Sequence, residues 1–307
     1  MLKKKAFNRI FITTIVFFIV FTLYNLKIVA SDAISQETIE SKKETIYTLN
    51  SKNYISKTEV YVGKVLTLKD KIKEKLEIMI AENDKNALLP SYFKPILPEN
   101  TKVLKVEVED SLVKVYFSKE LNNISEEQSE KMIEAIVYTI TDENILGIEI
   151  YVEGELLKYV PHTKKELPTI LTKEFGINKT YALINTNDIV KIVMTYFIDC
   201  NNEYVEVPVT KYLNDNREKL EIIFDNLTFD PSNSDLISLV DNVKLVDYKI
   251  KNDTITIYID RDISFEEENL IVSSIVNNYD AKKVIILANN QKKLAKTIEK
   301  WKKVLYN

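Results

Sequence analysis

The sequence predicts an α+β protein. Two copies of a ββαββαβ unit, each an antiparallel sheet with two helices on one face, follow an N-terminal membrane helix. Three observations predict this. A charge-free stretch follows a basic cluster at the start of the chain. The remainder repeats itself at an offset of 142–144 residues. Within each copy, period-two apolar alternation gives way twice to helical spacing. With 45% apolar residues among 307, the chain has material for a sizeable core.

The first element is residues 1–30. Residues 10–24 carry no charge and follow Lys3, Lys4, Lys5 and Arg9, the order of a basic n-region and an apolar h-region. Carried on to Ala30, the stretch approaches the length of a bilayer span if Lys27 turns its ammonium to the interface. The basic cluster holds the N-terminus in the cytoplasm and places the body outside. Residues 1–30 therefore read as a single-pass signal-anchor, or as a signal peptide cut after Ala30 or Ala33 and a secreted body. No cysteine lies nearby to carry a lipid. Residues 31–43 are polar and aperiodic, a spacer. Beyond residue 30 the chain holds 37 basic and 46 acidic residues, a balance that argues against nucleic acid as a partner.

The body is a repeat. Residues 73–78 (KEKLEI) return as 217–222 (REKLEI), and 102–117 align with 244–259. The units are 44–156 and 181–290, joined by a linker at 157–180 that contains Pro161, Pro168 and Gly176.

Each unit opens with a strand pair, 45–49 with 54–62 and 192–198 with 204–209. Asn201-Asn202 supply a turn, and Pro208 puts its strand at an edge. A helix follows near 70–82 and 216–226, with Ile72, Leu76, Met79 and Ile80 as its apolar stripe. Pro90, Pro95 and Pro98 then interrupt regular structure. A hairpin comes next. Leu104, Val106 and Val108 alternate with Lys105, Glu107 and Glu109 before a turn at Asp110-Ser111, and Val113, Val115 and Phe117 return. The second copy repeats this through Tyr248 and Ile250, then Ile255, Ile257 and Ile259. A second helix begins at a capping box, Ser125 with Gln128 and Ser264 with Glu267. A closing strand spans 145–152 and 283–287. In 291–307, Leu294, Ile298, Trp301 and Leu305 share one helical face among six lysines. That pattern suits a basic amphipathic helix, packed on the second unit or lying on anionic lipid or a partner.

Residue counts exclude much chemistry. One Cys, one His and four Gly leave no intrachain disulfide, no cysteine zinc site, no HExxH and no glycine-rich phosphate loop. Cys200 lies beside a turn with no histidine near it in sequence and reads as an inert thiol. His162 reads as a solvated linker residue. Asp260, Asp262 and Glu266 to Glu268 crowd a helix start, where the dipole favours acids, without the spacing of a calcium loop. No catalytic, cofactor-binding or metal residue is assigned. The 17 tyrosines sit mostly at strand positions, where aromatics pack well. A carbohydrate-binding stripe is the alternative use for them.

Three segments resemble the GerMN domain family. They are 196–210 (YFIDCNNEYVEVPVT), 97–104 (LPENTKVL, with Asn100 where the family has glycine), and 115–121 (VYFSKEL) continuing to 148–154 (IEIYVEG). The resemblance covers about 44–290. It implies a tandem, non-enzymatic, extracytoplasmic protein of sporulation or spore germination. It also implies a fold like the ring-building motif of secretion rings, and partners among other envelope or sporulation-complex proteins, with ring assembly among the outcomes. The rival readings are a module binding cell-wall glycan or peptide, and a wall hydrolase using paired carboxylates.

Overall fold

The computed structural model describes residues 42–63, 67–228, 235–288 and 291–297. The expected membrane segment 1–30, most of the spacer and the end of the tail lie outside the described residues. Among those described, no helix is long and apolar enough to cross a membrane.

The first repeat opens with β1 (Lys42–Asn50) and β2 (Ile55–Val62). Asn53 takes φ 65° in the turn between them, a backbone region asparagine tolerates. Asn50 Oδ1 accepts from the Lys52 and Tyr54 amides across it. Helix α1 (Leu68–Ile78) starts at a capping box between Thr67 and Asp70. It stops short of the expected residue 82 because the Met79 carbonyl leaves the helix to accept from Ile96 and Leu97. Strand β3 (Phe93–Lys94) pairs antiparallel with β1.

The hairpin is β4 (Val103–Glu109) and β5 (Leu112–Phe117), turning at Asp110 with φ 51°. Asn100, at the family's glycine position, has φ 62°. The alternation expected from Leu104 onward is broken. Val103 pairs with Phe117 and Lys105 with Tyr116, so Leu104 is the extra residue of a bulge and is exposed. Helix α2 (Glu126–Ile140) buries Met132, Ile133, Ile136, Val137 and Ile140. Its expected capping box is missing, since the Ser125 side chain makes no cap hydrogen bond.

Strand β6 (Gly147–Val152) then lies parallel to β5, and β7 (Glu155–Leu156) closes antiparallel to β6. This corrects the expected antiparallel sheet. A strand reached through a helical crossover returns in the direction of its predecessor. The unit is also larger than ββαββαβ. It holds two sheets, ordered β2-β1-β3 and β4-β5-β6-β7.

The second repeat follows the same plan. Strand β8 (Thr180–Ala182) precedes β9 (Ile189–Asp199), β10 (Tyr204–Asn214) and α3 (Lys219–Leu227). Then come β11 (Leu245–Lys251), β12 (Thr254–Ile259), α4 (Phe265–Val276), β13 (Lys283–Ala288) and β14 (Gln291–Thr297). Again β12 and β13 are parallel. The bulge recurs, with Leu245 paired to Ile259 and Asp247 to Tyr258, leaving Val246 exposed. The bridge Phe197–Ile237 occupies the place that β3 holds in the first copy. Ser264 and Glu267 do form the expected capping box.

The tail differs from expectation. Residues 291–297 form a strand antiparallel to β13, not the start of an amphipathic helix. β13 offers an unpaired edge two residues upstream, and a hairpin partner satisfies it.

The first core gathers Val113, Val115, Phe117, Ile148 and Ile150 with the buried faces of α1 and α2. The second gathers their counterparts Ile255, Ile257, Ile259, Val284 and Ile286 with α3 and α4. Linker residues Val160, Leu167, Leu171 and Ile177 are buried in the first core, so 157–180 is packed structure.

Candidate functional site

The repeats meet along a seam built by the end of the linker. Gly176 takes φ 85°, and a Cβ there would stand 3.1 Å from Thr210 Oγ1. Glycine therefore lets the chain run against β10. The Ile177 amide donates to Thr210 Oγ1 at 2.9 Å, and the Thr210 amide donates to the Ile177 carbonyl at 2.8 Å. Next along, Asn178 is buried and contacts both repeats. Its Oδ1 accepts from the Ile55 amide at 2.9 Å. Its Nδ2 donates to the carbonyls of Ile55 at 2.7 Å and Pro208 at 2.8 Å. Pro208 lies in the middle strand of β8-β10-β9. Yet β8 pairs only with Lys211 to Leu213, so at Pro208 the outer edge is covered by Asn178.

Helix α2 supplies acids beneath this strand. Glu134 is 2% exposed and accepts from the Asn178 amide at 2.8 Å. Lys179 Nζ lies 3.3 Å from Glu134 Oε1 and 2.5 Å from Glu130 Oε1, over the Phe175 ring. Lys165 also reaches Glu130 at 2.5 Å. Burial drives the Glu134 carboxyl up to about 7, against the pull of the Lys179 ammonium. Glu130 is shifted the other way. Burial raises it, but the ammoniums of Lys165 and Lys179 outweigh that and leave it low. Two neighbouring carboxyls are thus driven apart by environment.

Beside this network Tyr47 and Tyr138 meet edge to face, centroids 5.5 Å apart. The Tyr138 hydroxyl donates to the Lys173 carbonyl, and burial keeps that phenol from ionising in the ordinary range. The rings wall a cleft of about 390 Å³, completed from the second repeat by Lys191, Pro208 and Lys219 among others. Glu174 already neutralises Lys191 at 2.5 Å.

A second joint lies at β3. Phe93 belongs to the first repeat but is buried in the second core, with Tyr54, Leu89 and Tyr92 packed against that core. Here Ser51 Oγ donates to Cys200 Sγ at 3.4 Å.

The residues singled out from sequence scatter. Cys200 is 1% exposed. His162 Nε2 lies 2.7 Å from the Asn122 carbonyl, and the residue is exposed. Asp262 and Glu267 surround Arg261, whose guanidinium donates to the Asp262 carbonyl and to Glu267. Among the described residues no group of three or more His, Cys, Asp or Glu could hold a metal ion. The structure brings none of these candidates together. Sequence reasoning passed over Phe93, Glu134, Asn178 and Lys179. Only Gly176, two residues before Asn178, signalled a close approach.

Residues 45–158 match the model of the Germane family, described as sporulation and spore germination. Over 127 residues the chain is 26% identical to spore germination protein GerM of Bacillus subtilis (strain 168). The match covers 41% of this chain and 35% of that protein, so the chain spans about a third of the relative's length. The tandem GerMN domains of the sporulation protein GerM from Bacillus subtilis superpose with a TM-score of 0.76 at 23% identity. They cover 83% of this chain and 93% of theirs, a likeness of fold across both repeats.

Proposed function

Because this chain belongs to the GerMN family, we propose that it is a non-enzymatic, extracytoplasmic structural component of sporulation or spore germination. It acts by docking onto other envelope proteins. Residues 1–30 hold it at the membrane, with the body outside.

The observation that carries this reading is the seam. Asn178, the Thr210 pairing and the shared burial of Phe93 hold two similar units at one spacing. A protein that works by contact gains from such rigidity, because the cost of ordering its surfaces is met during folding and not at docking. The recurring bulges support it too. They place Leu104 and Val246, 52% and 65% exposed, at equivalent points of the two outer strands. An apolar side chain so presented twice, at fixed separation, suits a repeating partner surface.

The experiment is crosslinking and affinity capture of the full-length chain from sporulating cells. Wild type is compared with Leu104→Asp and Val246→Asp, and each strain is scored for heat-resistant spores and germination rate. Specific envelope proteins should be recovered with wild type and lost with the double variant, together with a spore defect. Recovery of the bait alone, with normal spores from a deletion strain, would sink the reading.

A further inference from the structure

The seam builds a second cleft, of about 410 Å³, where β1, β2 and β3 of the first repeat meet β10 of the second. Its floor includes Phe93, and Tyr61 and Tyr204 line its walls. These two rings are 54% and 62% exposed, whereas Phe93 is 8% exposed. A tyrosine ring left mostly in water forfeits the burial that stabilises strand aromatics elsewhere in the chain. Charged groups of both signs share the lining with the rings. Lys43 and Lys57 face the cleft with Glu59 and Glu206. Lys43 Nζ lies 2.9 Å from Glu59 Oε2 and 5.9 Å from the Tyr61 centroid.

We propose that this cleft binds a glycan strand. The C–H face of a pyranose is flat and apolar, and it lies on a tyrosine ring as another flat ring would. Each sugar hydroxyl both donates and accepts. Lining that offers both ammonium and carboxylate groups therefore satisfies it in either sense. A proline-rich peptide also stacks on tyrosine. Its prolines lack N–H groups, however, so it presents mainly carbonyl acceptors and adds no donor to the carboxylates of the lining, which sugar hydroxyls would supply. Neither repeat holds the cleft alone, since Tyr61 and Tyr204 lie on different units. The tandem arrangement is what makes it, and the assignment does not depend on the docking role proposed above.

The test is calorimetric titration of the full-length chain with the N-acetylglucosamine tetramer, cellotetraose and a decaproline peptide. At least one oligosaccharide should bind and the peptide should not. Tyr61→Ala and Tyr204→Ala should each weaken sugar binding, to about a tenth for the stronger contact. Tyr181→Ala, an exposed tyrosine stacked on Tyr212 outside the cleft, should leave binding unchanged. Circular dichroism verifies that each variant folds. Failure of both sugars to bind, binding that survives the Tyr61/Tyr204 double change, or capture of the peptide in place of sugar would each overturn the assignment.

Discussion

Asn178 and Pro208 are joined by a 2.8 Å hydrogen bond from a linker side chain to a strand carbonyl of the second repeat. The same amide group spans to Ile55 in the first. Asn178→Ala would leave the Ile55 amide, the Ile55 carbonyl and the Pro208 carbonyl without this partner at a site 7% exposed. Unpaired buried groups cost about 1–3 kcal/mol each, so a loss of at least about 3 kcal/mol is expected. Urea denaturation should show a lower midpoint, and the single transition should split as the repeats uncouple. An unchanged midpoint would remove the seam from the account.

Glu134 makes stability depend on pH. Burial raises its folded pKa from 4.5 to about 7. Between those values the unfolded chain has released a proton that the folded chain still holds. The unfolded state then binds fewer protons, so stability falls as pH rises through that window, by up to about 3 kcal/mol. The facing groups are Glu130, Lys165 and Lys179, with Glu130 already ionised across the window. Glu134→Gln keeps an acceptor for the Asn178 amide and removes the titration. Urea midpoints at about pH 5 and about pH 8 should differ markedly for wild type and little for the variant. Parallel pH profiles would refute the assignment to Glu134.

Local chemistry made the elements readable, while their partnerships needed the fold. The alternation of Val113, Val115 and Phe117 located β5, and Ser264 with Glu267 located the start of α4. The repeat itself was visible because 217–222 spells 73–78 again. The parallel entry of β6 was not visible, because strand direction follows from the crossover and leaves no mark on periodicity. Leu104 was assigned inward because one inserted residue reverses the facing of everything before it. The seam was hidden for a different reason. Asn178, Glu134 and Ile55 lie 44 and 123 residues apart. An asparagine after a glycine looks like an ordinary turn.

Phe93 tests whether the repeats fold as one body. It is carried by β3 of the first repeat, yet its ring is 8% exposed within the second core. Phe93→Ala should cost about 3–5 kcal/mol through lost burial and the cavity left behind. The informative readout is where the loss appears. Hydrogen exchange should accelerate at amides of β9 and α3, in the repeat that does not contain the substitution. Acceleration limited to the first repeat would mean that the ring contributes nothing across the seam.

Cys200 gives a probe of the same joint. Its thiol is 1% exposed and accepts from Ser51 Oγ of the other repeat at 3.4 Å. A thiol-specific reagent can reach it only when β3 or the turn after β1 moves away. Labelling is expected to be slow in the native protein and stoichiometric in denaturant, with the native rate set by opening. Asn178→Ala should speed native labelling about a hundredfold if about 3 kcal/mol of its cost falls on seam opening. Cys200→Ala should leave spore phenotypes intact, because the thiol is packed in the second core with its sulfur accepting from Ser51 Oγ. Rapid labelling of the native wild-type chain would instead mean that the joint opens freely. The two units would then move separately, and docking at a fixed spacing would lose its physical basis.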